Sequence, residues 1–321
     1  MKIAVVGPGR MGRGIALAFA YAGHDVALVD LKARPPADWN KLREEATAEM
    51  HASLAMLAEL RAMPTAAVER VMARIRPYAE RDAHALRDAE IVFEAVPETL
   101  DAKRDAFRRI CELAAPDAVL ASTTSTILVT DLVPLVTRPE RLLNAHWLNP
   151  AYLIPVVELS THAGTAPGVV SRMKSVLEDA GKVPVVCGPT PGYIVPRLQA
   201  LVMNEAARMV EEGAASAEDI DKATRYGLGL RFAAIGVVEF IDYGGNDILY
   251  YASDYLARTV SAERYTAPQN VQRLMREGHL GLKSGQGFYD YRSRDTRAYR
   301  KDVLERTLRQ LRQSGLFRPP R

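Results

Sequence analysis

The chain has 321 residues, enough for two or three domains, and its 48% hydrophobic and 25% charged content is that of an ordinary globular protein. A net charge of +3, with no isolated lysine–arginine block, speaks against nucleic acid as a partner. No apolar run reaches the length of a membrane span, and the two cysteines, Cys111 and Cys187, form no metal motif.

The first element is an apolar run, Lys2 to Val6, long enough for one buried strand. Gly7-x-Gly9-x-x-Gly12 follows, and an amphipathic stretch from Met11 to Ala22 ends at Gly23. Strand, glycine turn and helix in this order form a dinucleotide-binding arrangement. Gly7 permits the tight turn, Gly9 lets a pyrophosphate approach the backbone, and Gly12 lets helix and strand pack closely. The exposed amides of the first helical turn, around Arg10 and Met11, attract phosphate. Val26 to Val29 is the second strand and ends in Asp30, about twenty residues beyond the turn. An acid there accepts ribose hydroxyls and repels a 2′-phosphate, so NAD is expected over NADP, although Lys32 and Arg34 lie close by. The chain enters its first strand at once, which leaves no room for a secretory leader. Together with two unpaired cysteines this predicts reduced thiols and a cytoplasmic protein.

Pro35-Pro36 interrupts the pattern, and Asp38 can cap a long helix to about Met63. A second helix is expected from about Ala66 to Tyr78, giving an antiparallel helical pair inserted into the alternation of strands and helices. Ile91 to Val96 reads as a strand, Leu100 to Ala114 as a helix, and Ala118 to Ala121 as a strand opening into the polar turn Ser122-Thr123-Thr124-Ser125-Thr126. Leu142 to Trp147 and Val156 to Leu159 are further strands, Gly168 to Ala180 a helix, and Val183 to Val186 the last strand. From Pro191 the apolar spacing is helical: Ile194 to Glu212, Ala217 to Tyr226, Ile235 to Ile241, Asn246 to Ala257 and Ala267 to Arg276. The basic tail, Arg292 to Arg321, has the look of a solvated helix. The fold expected is α/β: a Rossmann-type dinucleotide-binding domain (1–188) with a helical-pair insertion, followed by an all-α C-terminal domain (189–321).

Oxidation of an alcohol by a nicotinamide needs a group to take the hydroxyl proton, and histidine suits neutral pH. Of six histidines, His24, His51, His84, His162 and His279 fall at loop ends or in polar helix. His146 instead closes a predicted strand, at the sheet edge where open α/β folds bind ligands. Glu158 sits inside the apolar strand Val156 to Leu159, and a buried carboxylate needs a partner. An adjacent imidazole would supply one, and the acid would orient the ring.

These segments resemble the 3-hydroxyacyl-CoA dehydrogenase family over nearly the whole chain. The resemblance rests on Glu94-Ala95-Val96-Pro97-Glu98, Ser122-Thr123-Thr124-Ser125, His146-Trp147-Leu148-Asn149-Pro150, Pro191-Gly192-Tyr193-Ile194-Val195 and Lys283-Ser284-Gly285-Gln286-Gly287-Phe288-Tyr289. Within the family the pattern resembles most the branch of lambda-crystallin (L-gulonate 3-dehydrogenase) and carnitine dehydrogenase. The resemblance implies that His146 is the general base and Glu158 its orienting acid, and that Ser125 hydrogen-bonds the substrate oxygen. It also implies that Glu98, Lys103 and Asn149 lie near the cofactor, and that the helical domain forms a homodimer. A catalytically silent, crystallin-like NAD-binding protein is the competing class. Two positions depart from the family. Pro196 stands where an asparagine is usual, which leaves Arg197 and Asn204 as replacement substrate contacts. The helical pair, lysine-rich in acyl-CoA enzymes, offers only Arg61 as a cation between Ala46 and Met63. The substrate is therefore a 3-hydroxyacyl-CoA ester or a small free 3-hydroxy acid, whose carboxylate Arg225 or Arg231 could meet. No metal is expected.

Overall fold

The computed structural model describes residues 1–319; Pro320 and Arg321, the end of the basic tail considered above, lie outside the described residues. The chain forms two compact units, Met1–Val202 and the residues from Met203 onward. The division falls within one helix.

The first unit is built on a sheet of eight strands in the order β3-β2-β1-β4-β5-β6-β7-β8. They are β1 (Lys2–Val6), β2 (Asp25–Val29), β3 (Ile75–Tyr78), β4 (Ile91–Glu94), β5 (Val119–Ser122), β6 (Leu142–Trp147), β7 (Val156–Ser160) and β8 (Val183–Cys187). All neighbours run parallel except β6 and β7. The order reverses between β1 and β4, the doubly wound arrangement that opens a crevice at the carboxyl ends of the strands. Helices cover both faces: α1 (Arg10–Tyr21), α2 (Pro36–Glu59), α3 (Ala67–Met72), α4 (Leu100–Leu113), the short α5 (Val129–Leu132) and α6 (Pro167–Asp179).

Strand alternation divides the core in two. Ile3 and Val5 pack with Phe19, Phe93 and Trp147 on one face; Ala4 and Val6 pack with Val92, Phe107 and Leu120 on the other. Each such large side chain stabilises the fold by roughly 1.5–3 kcal/mol. Phe19, Phe93 and Trp147 meet with centroids 5.2–5.9 Å apart, which anchors β4 and β6 beside α1.

The expected second helix, Ala66 to Tyr78, is corrected by the structure. Helix α3 ends at Met72, and Ile75–Tyr78 forms β3, the edge strand beside β2. Pro77 is tolerated there because an edge strand has a row of amides with no ladder partner. Glu80–Asp88, unassigned from sequence, is a 3₁₀ segment.

Helix α7 (Val195–Glu211) follows β8. Pro196 lies in its first turn, where the missing N–H would have no helical partner in any case. The second unit is helical: α8 (Ala217–Ala223), α9 (Leu230–Ala234), α10 (Val237–Gly244), α11 (Asn246–Thr259), α12 (Ala262–Tyr265), α13 (Gln269–Arg276) and α14 (Thr296–Gln313). The helix expected to run to Tyr226 stops at Ala223, and Thr224–Gly229 winds as a π turn. Asp242 of α10 is fully buried and accepts from the amides of Phe288 and Tyr289 at 3.0 and 2.8 Å. It thereby fixes the Lys283–Tyr289 segment. A Cβ at Gly287 would sit 2.1 Å from the Asp242 carboxylate, so only glycine fits. No helix among the described residues is long and apolar enough to cross a membrane.

Candidate active site

The carboxyl edge of the sheet carries the glycine turn, Asp30, His146 and the Ser122–Thr126 turn. Gly7 turns with φ +106°, and its amide donates to Val29 O at 2.8 Å, tying the loop to β2. A Cβ at Gly12 would lie 1.9 Å from Gly7 O, which shows how closely α1 crosses the loop. A Cβ at Gly9 would have nothing within 4 Å, so that position is open on the side where a ligand approaches. Helix α1 has no side-chain N-cap and no acid in its first turn. Its free amides therefore remain available to an anion. A cavity of about 700 Å³ adjoins them, lined by Gly7, Gly9, Arg10, Met11, Asp30 and the Ala95–Pro97 loop among others. Space, open glycine and uncapped helix all fit a dinucleotide's pyrophosphate.

Asp30 is buried at the end of β2, but its carboxylate is already engaged. Oδ2 accepts from Arg34 Nε at 2.5 Å and Oδ1 from the Lys32 amide at 3.1 Å. A ribose that binds Asp30 must share it with Arg34.

His146 and Glu158 are register partners across the antiparallel β6–β7 pair, so their side chains leave the same face. Nδ1 of His146 lies 2.8 Å from Glu158 Oε2. A carboxylate only accepts, so Nδ1 carries the proton and Nε2 presents its lone pair. Glu158 is fully buried, and its Oε1 accepts from the amides of Ile194 and Val195, both at 2.8 Å. These amides open α7, so its N-terminus stabilises the carboxylate. The ring of Tyr193 stacks on His146 at 4.6 Å and 14°. Its hydroxyl donates to Thr124 O at 2.8 Å and accepts from Asn144 Nδ2 at 3.1 Å, and burial pushes its pKa up. Tyr193 thus joins the imidazole to the Ser122–Thr126 turn. Sequence reasoning took it only as part of a motif; its signal was an aromatic after a glycine, held here at φ +46°.

Lys103 is wholly buried, 3.0 Å from each oxygen of Glu94 and 3.4 Å from Glu98. Burial alone would raise the pKa of Glu98. The Thr124 hydroxyl, the Lys103 charge and the donors of Thr126 outweigh it and hold the pKa down at about 2. The Ser125 side chain is exposed at the crest of the turn, and its amide donates to Glu98 at 2.9 Å.

With Arg10, Arg13 and Glu49, Asn149 lines a second cavity of about 300 Å³. Arg197 is exposed on α7, and Arg231, in the second unit, stacks its guanidinium 4.7 Å over the Phe240 ring. No cluster of potential metal ligands occurs among the described residues.

A glycine loop opening onto a ligand-sized cavity, beside a histidine–carboxylate pair at the same sheet edge, defines a dinucleotide-dependent dehydrogenase. Two family models match in succession: "3-hydroxyacyl-CoA dehydrogenase, NAD binding domain" over residues 2–190, and "3-hydroxyacyl-CoA dehydrogenase, C-terminal domain" over residues 192–291. The chain belongs to the 3-hydroxyacyl-CoA dehydrogenase family, and NAD is its cofactor. It is 35% identical over 292 residues to 3-hydroxyadipyl-CoA dehydrogenase of Escherichia coli (strain K12), covering 91% of this chain and 59% of that protein. It is 31% identical to 5-formyl-3-hydroxy-2-methylpyridine 4-carboxylate 5-dehydrogenase of Mesorhizobium japonicum, over 92% of this chain and 93% of that protein. Among solved structures, the 3-hydroxyacyl-CoA dehydrogenase of Archaeoglobus fulgidus matches with a TM-score of 0.76 and 33% identity, over 99% of this chain and 100% of that one.

Proposed function

We propose that this protein oxidises the 3-hydroxyl of a 3-hydroxyacyl substrate to the ketone, with His146 as general base, Glu158 as its orienting acid and Ser125 as the hydroxyl that holds the substrate oxygen. The observation that carries the reading is the His146–Glu158 pair, 2.8 Å apart at the carboxyl edge of a dinucleotide-binding sheet. NAD, when bound, supplies the acceptor for the hydride that leaves C3. Gly7, Gly9, Gly12 and the first-turn amides at Arg10 and Met11 would hold its pyrophosphate, and Asp30 its adenosine ribose. Ser125 donates to or accepts from the C3 oxygen, as an alcohol–ketone couple requires. His146 Nε2 removes the hydroxyl proton, and the imidazolium that forms is stabilised by Glu158. A base so placed contributes about 10²–10⁴-fold.

A CoA ester is the leading substrate class, in keeping with the family. A small free acid is the second reading, the one suggested by the lambda-crystallin and carnitine dehydrogenase branch. Two observations favour it. From Ala46 to its end α2 carries no lysine or arginine, and Glu49 ties up Arg13 of α1, which leaves little positive charge there for CoA phosphates. The Mesorhizobium relative is named for a pyridine carboxylate. We also propose a cytoplasmic homodimer. Leu198, Leu201, Met203 and Val210 of α7 are exposed, Leu201 and Met203 to 64% and 66%, on more than one side of the helix, which suits a helix packed against a second copy. The test is an initial-rate comparison of 3-hydroxybutyryl-CoA, L-gulonate and L-carnitine with NAD. Turnover of the ester supports the leading reading, turnover of a free acid the second. No turnover of any 3-hydroxy acid supports a silent, crystallin-like protein.

A further inference from the structure

Glu98 follows the loop after β4 and reaches across to the turn after β5. Its Oε1 accepts from the Thr124 hydroxyl, from the Ser125 amide at 2.9 Å, and from the Thr126 amide and hydroxyl at 3.0 Å each. Its other oxygen faces Lys103 Nζ at 3.4 Å. The turn is held at two further points. Ser122 Oγ donates to Glu94 Oε2 at 2.5 Å, and the Tyr193 hydroxyl donates to Thr124 O at 2.8 Å. Of the turn's hydroxyls, those of Thr123 and Ser125 have no protein partner among the described residues, and of these two residues Ser125 is the exposed one. Left to water, five successive Ser and Thr residues would sample many backbone states. Donors converging on one carboxylate select a single state, and bonds to an ionised acceptor are roughly twice as strong as neutral ones.

We propose that Glu98, backed by the buried Lys103, is the positioning residue for Ser125: its carboxylate fixes the Ser122–Thr126 turn so that the Ser125 hydroxyl is aimed at the substrate oxygen. This rests on the reading of Ser125 as the substrate contact. It gives Glu98 a duty apart from touching the cofactor, because Oε1 is filled by the turn. A carboxylate is required. An amide at this position must turn its NH₂ either toward Lys103 or toward the turn's own donors, and both are donor–donor conflicts.

The test is a double-mutant cycle of Glu98→Gln and Ser125→Ala, with kcat, KM, the pH–rate profile and NADH affinity by fluorescence titration for each protein. Positioning predicts that E98Q lowers kcat by about 10- to 100-fold in the parent. It predicts a further loss of less than about 3-fold in the S125A background. NADH affinity and the shape of the pH profile stay as in the parent. If E98Q costs the same factor with and without Ser125, or acts wholly through NADH affinity, the proposal is overturned. If S125A itself leaves kcat unchanged, the assignment of Ser125 fails first, and nothing remains for Glu98 to position. Thr126→Val, which removes one donor at an exposed site, guards against a folding failure of E98Q. It is expected to lower kcat a few-fold without altering NADH affinity, and an unchanged kcat counts against the proposal.

Discussion

Glu158→Gln replaces one carboxylate oxygen by an amide nitrogen and isolates the role of the pair. Oε1 of Glu158 receives two amides, from Ile194 and Val195, and Oε2 receives His146 Nδ1. A glutamine has one acceptor oxygen. Facing the amides with its NH₂ would set donors against two buried donors, so the oxygen stays there and the NH₂ turns to His146. Nδ1 must then accept, and the proton moves to Nε2, the nitrogen that has to take the substrate proton. The base is present but in the wrong tautomer. The expected loss in kcat is the general-base contribution, about 10²–10⁴-fold or about 2.7–5.4 kcal/mol of barrier. Stability changes little, because the two amides keep their acceptor and a buried charge is removed with its partner uncharged. The assay is steady-state kcat from pH 6 to 10, with NADH affinity and thermal unfolding as controls. A variant within about threefold of the parent kcat, or one restored by raising the pH, refutes the reasoning.

Glycine variants separate packing from ligand approach. Gly12→Ala drives a Cβ to 1.9 Å from Gly7 O, a backbone atom that cannot swing away, and is expected to destabilise by about 3 kcal/mol or more. Gly9→Ala meets nothing within 4 Å and should leave Tm unchanged while weakening NADH binding; equal losses of Tm in the two variants would contradict the assignment. Acid stability offers a third check. The Glu98 pKa is held down at about 2 from an ordinary 4.5, so its contribution is full above pH 4.5 and lost as pH falls toward 2. E98Q should flatten that acid limb in a Tm–pH series, and parallel limbs for the two proteins would argue against it.

Much of the site is legible in the sequence because it depends on local patterns. The β1–glycine–α1 unit has a fixed spacing, and His146 and Glu158 each stand out as polar residues within apolar strands. Their pairing needed only one further fact, that β6 and β7 run antiparallel in register. What escaped depends on tertiary context. Ile75–Tyr78 is too short for its period to separate strand from helix, and only β2 beside it decides. Lys103 lies on an amphipathic helix like any surface lysine; Glu94, nine residues earlier on β4, makes it a buried cation. Tyr193 gains its place from a stack on a residue 47 positions away in sequence.

The most direct measurement is turnover and NADH binding of His146→Gln side by side. The account predicts an unchanged NADH affinity with kcat reduced by about 10²–10⁴-fold. A variant that turns over at the parent rate would show that the proton leaves by another group, and one that loses NADH binding instead would place His146 in the cofactor site rather than at the reacting carbon.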